Sequence, residues 1–256
     1  MPIILRDSSY SKEGAFPAFL TQTNEKGITL NYILNQLDIK YHLKNYKKFT
    51  FTDIGAGDGT LTLPIMEYLA RLVNLETYCI EPSSLIDILK KRCGLKVHYI
   101  QEGMEETSIP KSDFILIAHA IQYLKDRKKF AKNLKQALNS NGKILVVGTH
   151  PESDDLKFKK ELKLKVLLAE SKKPLENLFE YLEQEGFKVT REYLKSTIYL
   201  TNAQKINKIG KEVISFYYHK PFSEISKEEI INFQKLARKF APEDKLTKLL
   251  QFIWVE

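Results

Sequence analysis

The stretch Phe51–Thr60, FTDIGAGDGT, sets a carboxylate and three alternating glycines at the end of an apolar run: Asp53, Gly55, Gly57 and Gly59. Glycine supplies positive φ, or close backbone approach, at little steric cost. A strand that ends this way and leads into a helix is placed to hold a nucleotide-like ligand. A nicotinamide site would read G-x-G-x-x-G, its last small residue packing the helix on the strand. Here the order is Gly-Ala-Gly-Asp-Gly. Glu81 stands in YCIEPS, at the end of the next apolar run. A carboxylate there can accept from both ribose hydroxyls, and hydrogen bonds to a charged acceptor contribute roughly 1.5–3 kcal/mol. His119 leaves the fourth apolar run in IAHAIQYLKD, and His150 ends the fifth. Both carry an imidazole, a side chain suited to general acid–base work. Cys79 and Cys93 are the only cysteines and make no metal spacing or disulfide framework, so a reducing, cytoplasmic setting is expected.

The elements that must carry these residues alternate. Phe49–Ile54, Thr77–Ile80, Lys96–Ile100, Asp113–Ala118, Lys143–Thr149, Phe187–Tyr193 and Leu249–Val255 read as strands. Leu61–Leu72, Leu85–Lys91, Lys125–Leu138 (ended by NSNG) and Lys173–Gln184 (closed by Gly186) read as helices. DFILIA and KILVVGT are nearly all apolar, as expected for strands covered on both faces. The alternation predicts an α/β fold, a doubly wound and mainly parallel seven-stranded sheet in one domain. Two segments fall outside it. Residues 1–46 read as helical, with Ile28, Leu30, Ile33, Leu34 and Leu37 on one side. Residues 199–242 contain EVISFYYHKPF and a helix opened by Ser226-Lys-Glu-Glu. Both are candidate elements of a small helical lid over the carboxyl ends of the strands, or else ordinary packing helices.

The net charge of +8 is local. Residues 125–173 carry 14 Lys/Arg against 6 Asp/Glu, while the rest of the chain is near balance. Lys125, Lys128, Lys129 and Lys132 recur at helical spacing opposite Phe130, Ala131, Leu134 and Leu138, the pattern of a solvated outer face. A polyanion-binding face is the alternative. No run approaches the roughly 18 apolar residues of a membrane helix, and Met1–Arg6 is too short and weakly apolar for a signal peptide. A monomer is expected.

The run Asp53-x-Gly55-x-Gly57-x-Gly59 resembles the first motif of class I methyltransferases, which use S-adenosylmethionine. That resemblance implies a turn cradling the methionine end of the cofactor, with Glu81, Pro82 and Ser83 at the ribose. It also implies Glu102, Gly103 and Met104, in QEGMEE, beside the adenine. The transferable methyl should then lie beside the exit of the fourth strand. HAIQY there lacks the N/D-P-P-F/Y turn of enzymes that methylate base amines, the Pro-Cys pair of pyrimidine carbon-5 enzymes, and the carboxylates of metal-dependent catechol enzymes. A small-molecule acceptor is expected, with nucleic acid disfavoured and no metal.

Three runs are similar to histamine N-methyltransferase and its relatives: FLTQTNEK (Phe19–Lys26), IEPS (Ile80–Ser83) and DFILIAHAIQYLKD (Asp113–Asp126). The terminal FIWVE also fits. The resemblance implies that Glu25 faces a substrate amine and that Phe16 and Phe19 belong to an aromatic wall. It puts His119 and Gln122 at the methyl-transfer point, with Tyr123 behind. His119 would also touch the cofactor. His150, Tyr217 and Tyr218 are further candidates for the acceptor pocket. The departures put histamine itself in doubt: His119 stands for a glutamine, Gln122 for a tyrosine, an expected amide is replaced by Leu246-Thr247-Lys248, and a wall tryptophan after strand five is missing. Three functions stay open: N-methylation of a small amine; O- or C-methylation of a small molecule, with His119 as base; and a macromolecular modifier or non-catalytic binder using the basic helix.

Overall fold

In a computed structural model of the chain, the described residues are 14–124, 126–162 and 173–256. The first thirteen residues of the expected lid, Lys125, and residues 163–172 of the basic region lie outside them. The elements in order are α1 (Ala15–Thr21), α2 (Glu25–Lys40), β1 (Phe49–Ile54), α3 (Thr62–Ala70), β2 (Leu75–Ile80), α4 (Leu85–Arg92) and β3 (His98–Ile100). Then come β4 (Ser112–Ala118), α5 (Arg127–Ala137), β5 (Leu138–Thr149), α6 (Asp154–Glu161), α7 (Lys173–Gln184) and β6 (Val189–Tyr199). The chain closes with α8 (Thr201–Lys205), α9 (Lys208–Tyr218), α10 (Lys227–Phe240) and β7 (Lys245–Val255).

One seven-stranded sheet has the order β3-β2-β1-β4-β5-β7-β6. β1 pairs in parallel with β2 and β4, β2 with β3, and β4 with β5. β6 and β7 run antiparallel: Lys188 and Glu256 exchange both backbone hydrogen bonds, and Leu200 N–H donates to Asp244 O. The order reverses at β1/β4, and the glycine turn leaves the sheet there.

The chain forms two compact units. The first comprises residues 26–148, 172–192 and 251–256 and holds most of the sheet. Its strands are covered on both faces, which is why they read as unbroken apolar runs. On one face Ile115 and Ile117 of β4 join Phe130 and Leu134 of α5 and Leu178 and Leu182 of α7, all fully buried. On the other, Phe114 packs near Phe51 and Trp254, ring centroids 5.4 and 6.0 Å away. Trp254 is fully buried, and its indole N–H donates to the Tyr32 hydroxyl of α2 at 2.9 Å. Ile33 and Leu37 of α2 are also fully buried, so residues 26–46 pack as part of this unit.

The second unit comprises residues up to 25, 149–171 and 193–250. Phe158, Val213, Ile214, Phe233, Ala237 and Leu246 form its core with Phe19 and Tyr217. α10 opens with the full reciprocal cap read from the sequence: Ser226 accepts from Glu229 N–H, and Glu229 accepts from Ser226 N–H.

Several element boundaries differ from the sequence reading. NSNG does not end a helix and open a loop. β5 starts at Leu138, pairs Leu138 with Ser112, and shifts register before Phe114 meets Lys143. β6 starts at Val189 and runs to Tyr199, and β7 starts at Lys245; the two are sheet neighbours joined by backbone hydrogen bonds at both ends. β3 is only three residues long and starts at His98, not Lys96. α6 was not anticipated. Among the described residues no helix is long and apolar enough to cross a membrane.

Candidate active site

The glycine turn is built from three positive-φ residues in alternation: Gly55 at 80°, Gly57 at 56° and Gly59 at 79°. All three occupy conformations that side-chain-bearing residues rarely take. Gly55 and Ala56 donate to Ile80 O at 2.8 and 3.3 Å, folding the turn over the end of β2. A Cβ on Gly55 would lie 2.4 Å from the Ala120 Cβ, and one on Gly59 would lie 2.3 Å from Leu89 Cδ1. A Cβ on Gly57 would meet nothing within 4 Å. The outer glycines are thus required by close packing, whereas Gly57 borders open space in which a ligand can reach the backbone.

Two carboxylates flank this turn. Glu81 is buried and accepts from Gly57 N–H at 3.0 Å and from Ser83 N–H at 2.9 Å. Those bonds occupy one position on each oxygen. A carboxylate has about four, so two are left for a pair of vicinal hydroxyls. Asp53, at the end of β1, accepts from the Thr62 hydroxyl at 2.6 Å. Burial pushes its carboxyl up to about 7 against that hydrogen bond, and the charge of Glu81 adds to the rise. Asp58 is buried enough to be raised as well, but Thr60, Lys26 and Arg92 outweigh that and hold it low.

These features fit S-adenosylmethionine: open space beside the Gly57 backbone, acceptor capacity on Glu81, and the buried Asp53 carboxyl beneath. Glu81→Ala should weaken cofactor binding roughly 10- to 100-fold, since each 1.4 kcal/mol is a factor of ten. Titration calorimetry that shows unchanged affinity would remove Glu81 from the site.

The remaining expected cofactor residues are in the same unit. Pro82 and Ser83 are half-buried, and Ser83 Oγ accepts from Leu85 N–H at the start of α4 at 3.3 Å. Glu102 is exposed and accepts from the Thr107 hydroxyl. The Gly103 carbonyl accepts from Glu106 and Thr107 N–H, closing a turn. Met104 is buried in the apolar cluster with Ile54, Ile80 and Ile121. His119 leaves β4 with φ 52°, its N–H donating to Val147 O at 2.8 Å, and is half-buried. Gln122 and Tyr123 follow in one turn of 3-10 helix; the Gln122 side chain lies outside the described part, and Tyr123 is exposed.

The second unit gathers the expected acceptor residues. The Phe19 and Phe216 rings stack with centroids 3.9 Å apart, and Phe16 lies 6.0 Å from Phe216. Tyr217 is buried, and its hydroxyl donates to Asp155 Oδ1 at 3.1 Å. Tyr218 donates to Glu229 O at 2.9 Å. His150 accepts at Nδ1 from Glu152 N–H and meets the Tyr193 ring edge-on at 5.0 Å. Glu25 is buried and accepts from Lys248 Nζ at 2.6 Å.

Sequence reasoning missed two members of this unit, Lys248 and Lys159, whereas it reads His219 as a third histidine candidate. Lys248 registered only as a departure from a family pattern, although LTKLLQFIWV carries its lysine on the same strand face as buried Leu246 and Leu250. Lys159 binds the fully buried Asp155 at 2.8 Å, an i,i+4 pair legible in DDLKFK. His219 also has positive φ, at 53°. Burial, with Lys159 adding to it, holds its imidazole below the ordinary histidine range.

Residues 52–144 match a family described as a methyltransferase domain. No protein of curated function matches the chain by sequence. The YcgJ protein of Bacillus subtilis aligns in structure with a TM-score of 0.58 at 15% identity, over 90% of this chain and 97% of that one. A Galdieria sulphuraria protein described as a sarcosine dimethylglycine methyltransferase gives 0.55 at 14% identity, over 89% and 84%. The cyclopropane synthase MmaA2 of Mycobacterium tuberculosis gives 0.53 at 14%, over 87% and 83%. Likeness at these identities establishes the fold. The finer similarity to histamine N-methyltransferase rests on the sequence runs alone.

Proposed function

We propose, from the premise that this chain carries a class I methyltransferase domain that uses S-adenosylmethionine, that its acceptor is a small organic amine methylated on nitrogen. The observation that carries this reading is the aromatic group of the second unit, Phe16, Phe19 and Phe216, in a unit that also buries the carboxylate of Glu25. Ring faces attract cations by roughly 0.5–2 kcal/mol, and a carboxylate adds charge complementarity.

When bound, the cofactor supplies an electrophilic methyl group on a cationic sulfur. The chain's part is to position the acceptor and manage its proton. Near-attack geometry, with reacting atoms roughly 3–3.5 Å apart, can supply much of the rate. The attacking nitrogen must be neutral, and Glu25 by itself stabilises the ammonium form, so a base has to take the proton. His119, at the exit of β4, is the proposed acceptor of that proton. His219, kept neutral around pH 7 by burial and Lys159, is the second candidate.

One observation favours a second reading. Lys248 already neutralises Glu25, so a simple cation would have to displace a buried ammonium. An acceptor with a hydroxyl or an acidic carbon would leave that pair intact, which supports O- or C-methylation with His119 as the base.

A thermal-shift screen of amines, phenols and acids with S-adenosylhomocysteine present should decide, because only ligands of the native protein raise its stability. A saturating hit at about 100 times its Kd should add about 2.7 kcal/mol. Amines should dominate the hits, and the product should gain one methyl on nitrogen by fragmentation mass spectrometry. Stabilisation by phenols or acids alone, with methyl found on oxygen or carbon, would replace the first reading with the second.

A further inference from the structure

The two carboxylates at the glycine turn have no basic partner among the described residues. Among the described residues, no lysine, arginine or histidine forms an ion pair with Asp53 or Glu81, although Asp58 in the same turn draws both Lys26 and Arg92. Asp53 is 3% exposed and Glu81 is 8% exposed. Asp53 is held by one neutral hydroxyl, and Glu81 by two backbone N–H groups. A buried carboxylate without a cationic partner is disfavoured in its charged form, and Asp53 is in that position.

We propose that Asp53 holds a proton in the free protein and gives it up to solvent when the sulfonium cofactor binds, so that the turn discriminates the cationic cofactor from its uncharged-sulfur product. The O–H bond of the Asp53 carboxyl breaks, the proton leaves to bulk water, and the carboxylate remains as counter-charge to the ligand. The inference concerns the cofactor alone and does not depend on which acceptor is methylated.

The groups around Asp53 allow this assignment. Its register partner on β2 is Cys79, whose buried thiol is pushed up and stays neutral at pH 7. Its partner on β4 is Leu116, and α3 contributes the Thr62 hydroxyl. Burial is the larger cause that raises the Asp53 carboxyl, and Glu81, at the exit of β2, adds to the rise against the Thr62 hydrogen bond. Asp58 is held in its charged form by Thr60, Lys26 and Arg92. Asp53 is therefore the carboxyl placed to titrate near pH 7.

The sign follows from linkage. The carboxyl is raised in the free protein, and a cationic ligand favours its ionised form. Binding then releases a proton, and affinity rises with pH until the free-protein value is passed. Between about pH 5.5 and 7, below the cofactor's own α-amino titration, affinity for S-adenosylmethionine should climb towards tenfold per unit at the acid end. Calorimetry in buffers of different ionisation enthalpy should show release of about half a proton per site at pH 7, approaching one at pH 6. S-adenosylhomocysteine should release clearly less. Asp53→Asn should flatten the pH dependence and narrow the preference for the cation. If that variant does not fold, infrared difference spectra of the wild type give the same answer: a protonated-carboxyl band that disappears on adding S-adenosylmethionine. Binding without proton release, equal release with both ligands, an unchanged slope in Asp53→Asn, or no such band each overturns the proposal.

Discussion

Glu25→Gln should cost the protein about 3–5 kcal/mol of stability, the usual penalty for removing one partner of a buried ion pair. Lys248 is 7% exposed, and its ammonium lies 2.6 Å from the Glu25 carboxylate. A neutral amide in place of that carboxylate leaves the charge buried without its counter-charge. At roughly 2–4 °C per kcal/mol for a chain of this size, calorimetry should record a melting-temperature loss on the order of 10 °C. The loss alone says nothing about the acceptor. The informative comparison is Glu25→Gln with Lys248→Met, because well-packed apolar replacement of a whole buried pair is often neutral or better. If Glu25 also holds an amine, the double variant should melt near the wild type, bind cofactor normally, and show a KM for the amine raised about tenfold or more, the worth of 1.4 kcal/mol. A double variant with wild-type KM would confine the pair to stability and remove Glu25 from acceptor binding.

Gly55→Ala should cost about 2–6 kcal/mol and weaken cofactor binding with it. Two separable terms add. The residue sits at φ 80°, which costs an L-residue about 1–3 kcal/mol. The new methyl would lie 2.4 Å from the Ala120 Cβ, and overpacking of that kind costs about 1–3 kcal/mol. Gly55→Ala with Ala120→Gly removes the overlap and leaves the φ penalty, so it should recover part of the loss relative to Ala120→Gly alone. Full additivity of the two single substitutions would show that the turn relaxes away from β4 and that the contact costs nothing. The contact also explains a feature of the site. Ala120 directly follows His119, so the glycine turn is packed against the chain that carries the candidate base.

The glycine turn and Glu81 were legible in the sequence because their chemistry is local. Alternating glycines after an apolar run have few uses, and a carboxylate at the next strand end has fewer. The unbroken apolar runs of β4 and β5 announced a sheet covered on both faces, for the same short-range reason. Strand lengths were less legible. β6 and β7 extend well past their apolar residues because each supplies the other's backbone partners, and pairing between segments about fifty residues apart leaves little periodic trace. β5 begins at Leu138, just before Asn-Ser-Asn-Gly, for a related reason: a register shift against β4 takes up those four polar residues between the pairs Ser112–Leu138 and Phe114–Lys143.

The charge balance of the site belonged to the tertiary structure altogether. The sequence marks Asp53, Glu81 and Glu25 as candidate site carboxylates and Asp155 and Lys159 as an i,i+4 pair, but not which of these charges are buried or what Lys248 meets. Folding puts Lys248 on Glu25 and Lys159 on Asp155, and leaves Asp53 and Glu81 with only hydroxyl and amide donors. Which buried charge finds a partner depends on side chains brought together from distant parts of the chain, and the energy at stake depends on how far water is excluded. Neither quantity is written in spacing or composition. The sequence thus determined the glycine turn and the carboxylates beside it, and the fold decided which buried carboxylates are left with only neutral donors.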